Sequence, residues 1–267
     1  MKHYIKVSKY LMIIGLLLVT SGCDRHEASI SADQAPTIID KPATNQVNEK
    51  DNQVQVTVLE FNEVEEGLDP YLTRMVVSDR YIRIDDGEQS DGYVLFDRFK
   101  KRIFSVVDET ESILVVDPIY PLQGVPADLQ IRSQLQDMNE APLISGIKPA
   151  YYQFHANDTL CYHLVVADGF KPEITKALQV YQAVLAAQQQ ETLNSTPKEL
   201  QTPCFLANYI YAPLIYLSKG FPLEQWDMAG YHRSLSSVKD DVSVSQSLFK
   251  LPDDYEYFSI GDGNIKL

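Results

Sequence analysis

The sequence predicts an α+β fold in which a curved antiparallel β-sheet is covered by a two-helix segment. Residues 54–116 fall into short β-branched and aromatic runs separated by polar turns, which is the texture of a meander. Residues 172–220 change to apolar side chains three and four positions apart, which is the texture of helices. Strand-like runs return at 231–251, so the helical segment interrupts one β framework and belongs to the same body.

Ahead of that body stands MKHYIKVSKYLMIIGLLLVTSGC. Lys2, Lys6 and Lys9 give a basic start, Leu11 to Val19 give an apolar run too short to span a bilayer, and Thr20-Ser21-Gly22 supply small residues before Cys23. This ending resembles the lipobox of bacterial lipoproteins, with Thr20 where that family usually has leucine. The resemblance implies that residues 1–22 are a signal peptide and that Cys23 becomes an acylated N-terminus. Each buried methylene contributes roughly 0.8 kcal/mol, so three acyl chains make a lasting tether. The expected location is the bacterial cell envelope, lipid-anchored on the periplasmic side. Asp24 resembles the residue that retains lipoproteins in the inner membrane, with the outer membrane as the alternative.

Removal of Lys2, Lys6 and Lys9 with the leader takes the formal charge from −14 to −17. A field of that sign repels nucleic acid and anionic headgroups, so the expectation is no nucleic-acid partner and membrane contact through the lipid alone. Residues 24–52 contain no aromatic side chain and are rich in Ala, Asn, Gln, Ser and charge, a composition unable to bury enough surface to fold. They read, with Cys23, as a tether (23–52) that spans roughly 30 Å as a coil. Residues 53–267 then form a single globular domain.

Within that domain VQVTVLEF, TRMVV, YIRI, GYVLF, RIFSVV and ILVV are the predicted strands. Alternation such as Val54-Gln55-Val56-Thr57-Val58 gives each strand one core face and one wet face, so the sheet is expected to be one-sided. Five prolines between 118 and 149 break any long element, and DLQIRSQLQDMN fits a helical turn or a strand. AYYQFHA and LCYHLVVA, around Asn157-Asp158-Thr159, read as a hairpin. Pro172 at a first helical position and Glu173 in the first turn open a helix carrying Ile174, Leu178, Tyr181, Val184 and Leu185. A second helix is expected from the Thr202 N-cap to Gly220, bent at Pro213. YHRSLSSV and VSVSQSLFKL follow as strands, before Pro252 and a tyrosine-rich tail.

With Cys23 lipidated, Cys161 and Cys204 remain, in an oxidising compartment. They make one bridge or two buried thiols. The bridge, the expected outcome, closes a loop of 43 residues, for which chain entropy gives roughly 4 kcal/mol.

The order of leader, meander with YIRIDDG into GYVLFDR and RIFSVV, helical segment and closing strand SLFKLPDDYE resembles an uncharacterised family of bacterial lipoproteins. More distantly it is similar to LolA and LolB, the lipoprotein carriers. Leu248, Phe249, Leu251 and Pro252 carry the most specific part of the likeness. The resemblance implies an incomplete barrel closed by helices around an apolar cavity for acyl chains.

Enzyme motifs are absent from the sequence: no G-x-S-x-G, HExxH, GxGxxG or P-loop. His155 and His163 face each other in the predicted hairpin as two ligands of a metal, which is too few, and His26 and His232 stand apart. The acidic loop Asp85 to Gly92 has the oxygen density of a calcium site but not the EF-hand order, and reads as a solvated turn. Asp108 and Glu111 sit in a turn instead of a cleft. Tyr151, Tyr152, Tyr162, Tyr209, Tyr211 and Tyr216 are pocket-lining or packing residues, and Trp226 is placed in a loop after Pro222. The expectation is a non-enzymatic envelope protein without metal or cofactor. It binds a hydrophobic ligand such as an acyl chain in a cavity, or it is an interaction and assembly factor with a filled core.

Overall fold

The computed structural model describes residues 52–88, 92–118, 123–138 and 141–259, with the backbone of 263–265. The predicted leader, Cys23 and all but the last residue of the tether lie outside the described residues, as does the middle of the acidic loop, 89–91.

The predicted meander forms as β1 (Gln53–Val64), β2 (Tyr71–Val77), β3 (Tyr81–Asp85), β4 (Tyr93–Asp97), β5 (Arg102–Val107) and β6 (Ser112–Val116), each antiparallel to the next. The Pro-rich stretch contributes one strand, β7 (Ile131–Gln136). It pairs with β8 (Ala150–Ala156), which pairs in turn with β9 (Thr159–Ala167) as the expected hairpin. After α1 (Pro172–Thr192) and a short α2 (Pro203–Phe205), the chain adds β10 (Phe221–Trp226), β11 (His232–Ser245), β12 (Glu256–Ser259) and β13 (Gly263–Ile265). The thirteen strands among the described residues join one open sheet in the order β13-β12-β6-β5-β4-β3-β2-β1-β11-β10-β9-β8-β7. The fold is α+β with an unclosed sheet.

Four expectations are corrected. The sheet is mixed, because β12 runs parallel to β6, pairing Glu256 with Ser112 through Ser259 with Val115. Trp226 lies at the end of a strand: Pro222 is accommodated where the β9 register shifts, between Pro222 and Glu224, a position where a missing N–H costs no ladder bond. The second helix is far shorter than 202–220. Thr202 caps it as expected, its Oγ1 accepting from Phe205 N–H at 3.2 Å, but three α residues lead into a π-turn, Leu206–Tyr211, closed by Ala212 N–H to Ala207 C=O at 3.0 Å. Pro213 has no N–H to continue the ladder and disfavours helical backbone at Ala212, whose φ is −137°. Finally, the SLFKL closing run is a 3₁₀ turn, Gln246–Phe249, followed by extended chain.

The sheet is also two-sided over much of its width. On one face Leu59, Phe61, Met75, Val77, Ile82, Val94, Phe96, Ile103 and Val116 pack against Ile174, Leu178, Tyr181, Val184 and Leu185 of α1, as the helix spacing predicts. On the other face Val56, Val58, Val76, Tyr93, Leu95, Phe104, Val106, Ile113 and Val115 are covered by Phe249, Leu251, Tyr255 and Tyr257 of the C-terminal segment. All five residues of β4 are therefore buried, and its continuous apolar run Tyr93-Val94-Leu95-Phe96 is the signature of a strand covered on both sides. A third cluster joins Phe154, Tyr162, Leu164 and Val166 to Ala207, Leu206 and Tyr211.

Cys161 of β9 and Cys204 of α2 form a disulfide, with an S–S distance of 2.10 Å and Cα atoms 5.3 Å apart. It fastens the short helix to the sheet at the third cluster.

Candidate binding face

The cover of the second face reaches Val242 and Val244 of β11, and no residue of β7–β10 belongs to it. Cross-strand pairing shows which side chains share that remaining face: Gln134 opposite Gln153, Gln153 opposite His163, His163 opposite Trp226, and Trp226 opposite His232. Tyr151, two residues from Gln153, shares it too, because side chains alternate along a strand.

At the centre of the face stand three rings. His163 and Trp226 stack with centroids 4.8 Å apart and planes 3° from parallel. Tyr151 lies 5.9 Å from His163 and 5.7 Å from Trp226, at 20° to each. The Tyr151 hydroxyl is 2.6 Å from His163 Nδ1, and Gln153 Nε2 donates to the same hydroxyl at 3.4 Å. Burial of the imidazole, and secondarily the neighbouring His155, lowers the pKa of His163. The shift favours the neutral ring, and the Tyr151 hydroxyl and Nδ1 share one hydrogen bond whose direction follows the imidazole tautomer. All three side chains are half-buried, with their outer parts open to solvent. Beside them His232 Nε2 and Glu224 Oε1 are 2.8 Å apart, and at the far margin Arg132 meets Asp158 at 3.5 Å. The arrangement offers aromatic surface, two amides, a carboxylate hydrogen-bonded to His232 and the Arg132–Asp158 ion pair.

The opposite face carries a second polar group at the same end of the sheet. Arg233 Nε lies 3.6 Å from Glu63 Oε1 and its guanidinium sits 4.0 Å over the Phe61 ring. The Tyr231 hydroxyl donates to Glu63 Oε2 at 3.3 Å and that of Tyr71 donates to Glu65. Burial raises the Tyr71 phenol strongly, and its hydrogen bond to Glu65 adds to this. Tyr216 is pushed up to about 12, again by burial. These phenols stay protonated donors at neutral pH, and the network closes the end of the core over Phe61.

The remaining sequence candidates separate into structural roles. Asp85 is fully buried: Arg74 donates to Oδ1 and Oδ2 at 2.8 and 2.9 Å, Arg83 to Oδ2 at 2.6 Å, and Gly87 N–H to Oδ1 at 3.1 Å. No carboxylate oxygen is left for calcium, and Asp86 accepts from Glu88 N–H at 2.8 Å in the turn. His155 and His163 are offset, because the β8–β9 register shifts between Phe154 and His155. Among the described residues no three His, Cys, Asp or Glu side chains are grouped to hold a metal. Asp108 accepts from the Tyr255 hydroxyl at 3.1 Å and the Glu111 carbonyl from Glu256 N–H at 2.9 Å, so both anchor the C-terminal segment. Tyr152, Tyr162, Tyr211 and Tyr216 belong to the third cluster, while Tyr209 is exposed. Trp226 with Tyr151 and His163 is the grouping that sequence reasoning missed. The three stand 12 and 63 positions apart, and only the pairing of β8, β9 and β10 brings them together.

Two open clefts lie elsewhere. One of about 390 Å³ is lined by Leu129, Asn157, Gln201, Leu206 and Tyr211, and one of about 450 Å³ by Tyr81, Lys100, Phe104, Phe249, Lys250 and Tyr257. Neither is lined by α1. No helix among the described residues is long and apolar enough to cross a membrane.

No family model and no curated protein matches the sequence. Among solved structures, the chain is similar to PNGF-II in its C2 crystal form, with 11% identity and a TM-score of 0.38 over 77% of this chain and 31% of that one. For the P21 form the values are 7%, 0.33, 77% and 32%. The chain thus spans about a third of the length of PNGF-II. Likeness at this level carries no argument about fold or activity.

Proposed function

We propose that this protein is a lipid-anchored, non-enzymatic interaction and assembly factor of the bacterial envelope that works through its surface. The observation that carries the reading is the packing between α1 and the sheet. Phe96 and Tyr181 meet edge to face at 5.5 Å, and Leu59, Ile82, Ile103, Val116 and Val184 around them are at most 1% exposed. An acyl-chain carrier of the LolA and LolB kind needs an apolar concavity at that interface, and here side chains occupy it. The open aromatic face of β7–β11 is the complementary feature, a surface that α1 and the C-terminal segment leave uncovered. Acylation of Cys23 and a tether of residues 24–52 would hold the domain within roughly 30 Å of the bilayer, with freedom to turn the face toward a partner.

Site-specific photo-crosslinking in intact envelopes tests this. A photoreactive residue at Gln153 is expected to give a discrete adduct, and one at the remote Lys198 none. Absence of any adduct from position 153 would overturn the reading. Cys23→Ser is expected to release the protein from the membrane fraction, and retention there would overturn the anchor.

A further inference from the structure

We propose that the open face of β7–β11 binds an uncharged oligosaccharide, an inference that rests on this face being the working surface. A sugar ring presents an apolar C–H side and a rim of hydroxyls that both donate and accept. It is held by an aromatic surface set beside amides and carboxylates, because the ring surface takes the C–H side while the polar groups replace water at the rim. Those are the groups assembled here. Trp226, His163 and Tyr151 form one near-parallel aromatic block. Gln153 and Gln134 are cross-strand neighbours beside it, and the Glu224–His232 pair borders the Trp226 side.

Charge selects among polar ligands. The chain carries a formal charge of −14 before any processing, so an acidic polymer is repelled. At the face, Glu224 is hydrogen-bonded to His232 and Arg132 is paired with Asp158. A strongly acidic protein thus presents an aromatic patch rich in hydrogen-bonding groups, where the Glu224 and Asp158 carboxylates already have side-chain partners. That complements a neutral polyhydroxylated ligand better than a lipid, which lacks the hydroxyl rim, or a basic peptide, which needs unpaired carboxylates.

Trp226 is the only tryptophan in the chain, so its intrinsic fluorescence reports on this face alone. Cellotriose and triacetylchitotriose are titrated into oxidised residues 24–267, with saturation-transfer NMR in parallel. The expected result is a saturable change in Trp226 emission and transfer of saturation to the sugar C–H protons for at least one of the two. Tyr151→Phe keeps the ring but removes the hydroxyl that organises Gln153 and His163, and Gln153→Ala removes an amide. Each is expected to weaken binding by about fivefold or more, the loss of one hydrogen bond, while Lys198→Ala leaves it unchanged. No saturable response to either sugar, binding unaffected by both variants, or preference for an acidic oligosaccharide or a peptide would each overturn the proposal. If the sugars fail while position 153 still crosslinks to a protein, the surface reading stands and the glycan assignment falls. If both fail, both fall.

Discussion

Asp85 shows how far a single side chain can depart from its sequence neighbourhood. It belongs to an acid-rich loop, yet two arginines and a backbone amide take both of its oxygens inside the sheet. Burial alone would raise its pKa, but the hydrogen bonds from Arg74 and Arg83, with their charges, hold it below the usual carboxylate value. A depressed folded-state pKa means that the contribution is present above the unfolded value, near 3.8, and is lost as pH falls through the folded one. Asp85→Asn leaves both arginines without their counter-charge and is expected to cost about 3 kcal/mol in denaturant unfolding at pH 7. The variant should also lose the wild type's decline in stability below pH 4. An unchanged midpoint would refute this role. The arginines that decide the matter sit 11 and 2 positions from Asp85, and β2–β3 register, which turns fix, brings the first of them across.

At the scale of elements, α1 was legible because its start signals and apolar spacing agree: Pro172 and Glu173 open it, and Ile174, Leu178, Tyr181, Val184 and Leu185 all face the core. The second helix was legible only at its cap. Thr202 does its predicted work, but the pre-proline position of Ala212 turns the ladder into a π-closure and ends it. What keeps so short an element in place is the Cys161–Cys204 bridge together with the third cluster. Cys204→Ala is expected to lower stability by about 4 kcal/mol, since the closed loop is 43 residues long. Alkylation of oxidised residues 24–267 should find no free thiol, and two labelled cysteines would contradict the bridge. β10 escaped notice because Pro222 normally argues against an inner strand, and the register shift that admits it leaves no mark in the sequence.

Across the whole molecule, the meander and its order could be read from alternation, but which strands are covered on both sides could not be read from alternation alone. The signal was present in the unbroken apolar run of β4, whereas the cover comes from residues about 150 positions later. Phe249 stacks on Tyr81 at 5.6 Å and is 6% exposed, and Tyr93 donates to the Lys250 carbonyl at 2.7 Å. Phe249→Ala is expected to cost about 3 kcal/mol and to raise amide exchange in β12, which the C-terminal segment carries to β6. Protection there unchanged from wild type would show that the tail is not held by this contact. The same cover ends on β11 at Val242 and Val244, so the candidate face, β7–β10 with the His232 end of β11, is defined by where the tail ends.

The central claim is that the space between α1 and the sheet is filled and that the protein acts from its surface. Native mass spectrometry of residues 24–267, secreted so that the bridge forms and the lipid does not, tests it most directly. The account predicts the bare protein mass, two hydrogen atoms per bridge below the reduced value. A reproducible adduct of lipid mass, lost on mild denaturation, would contradict it and return the protein to the acyl-chain carriers.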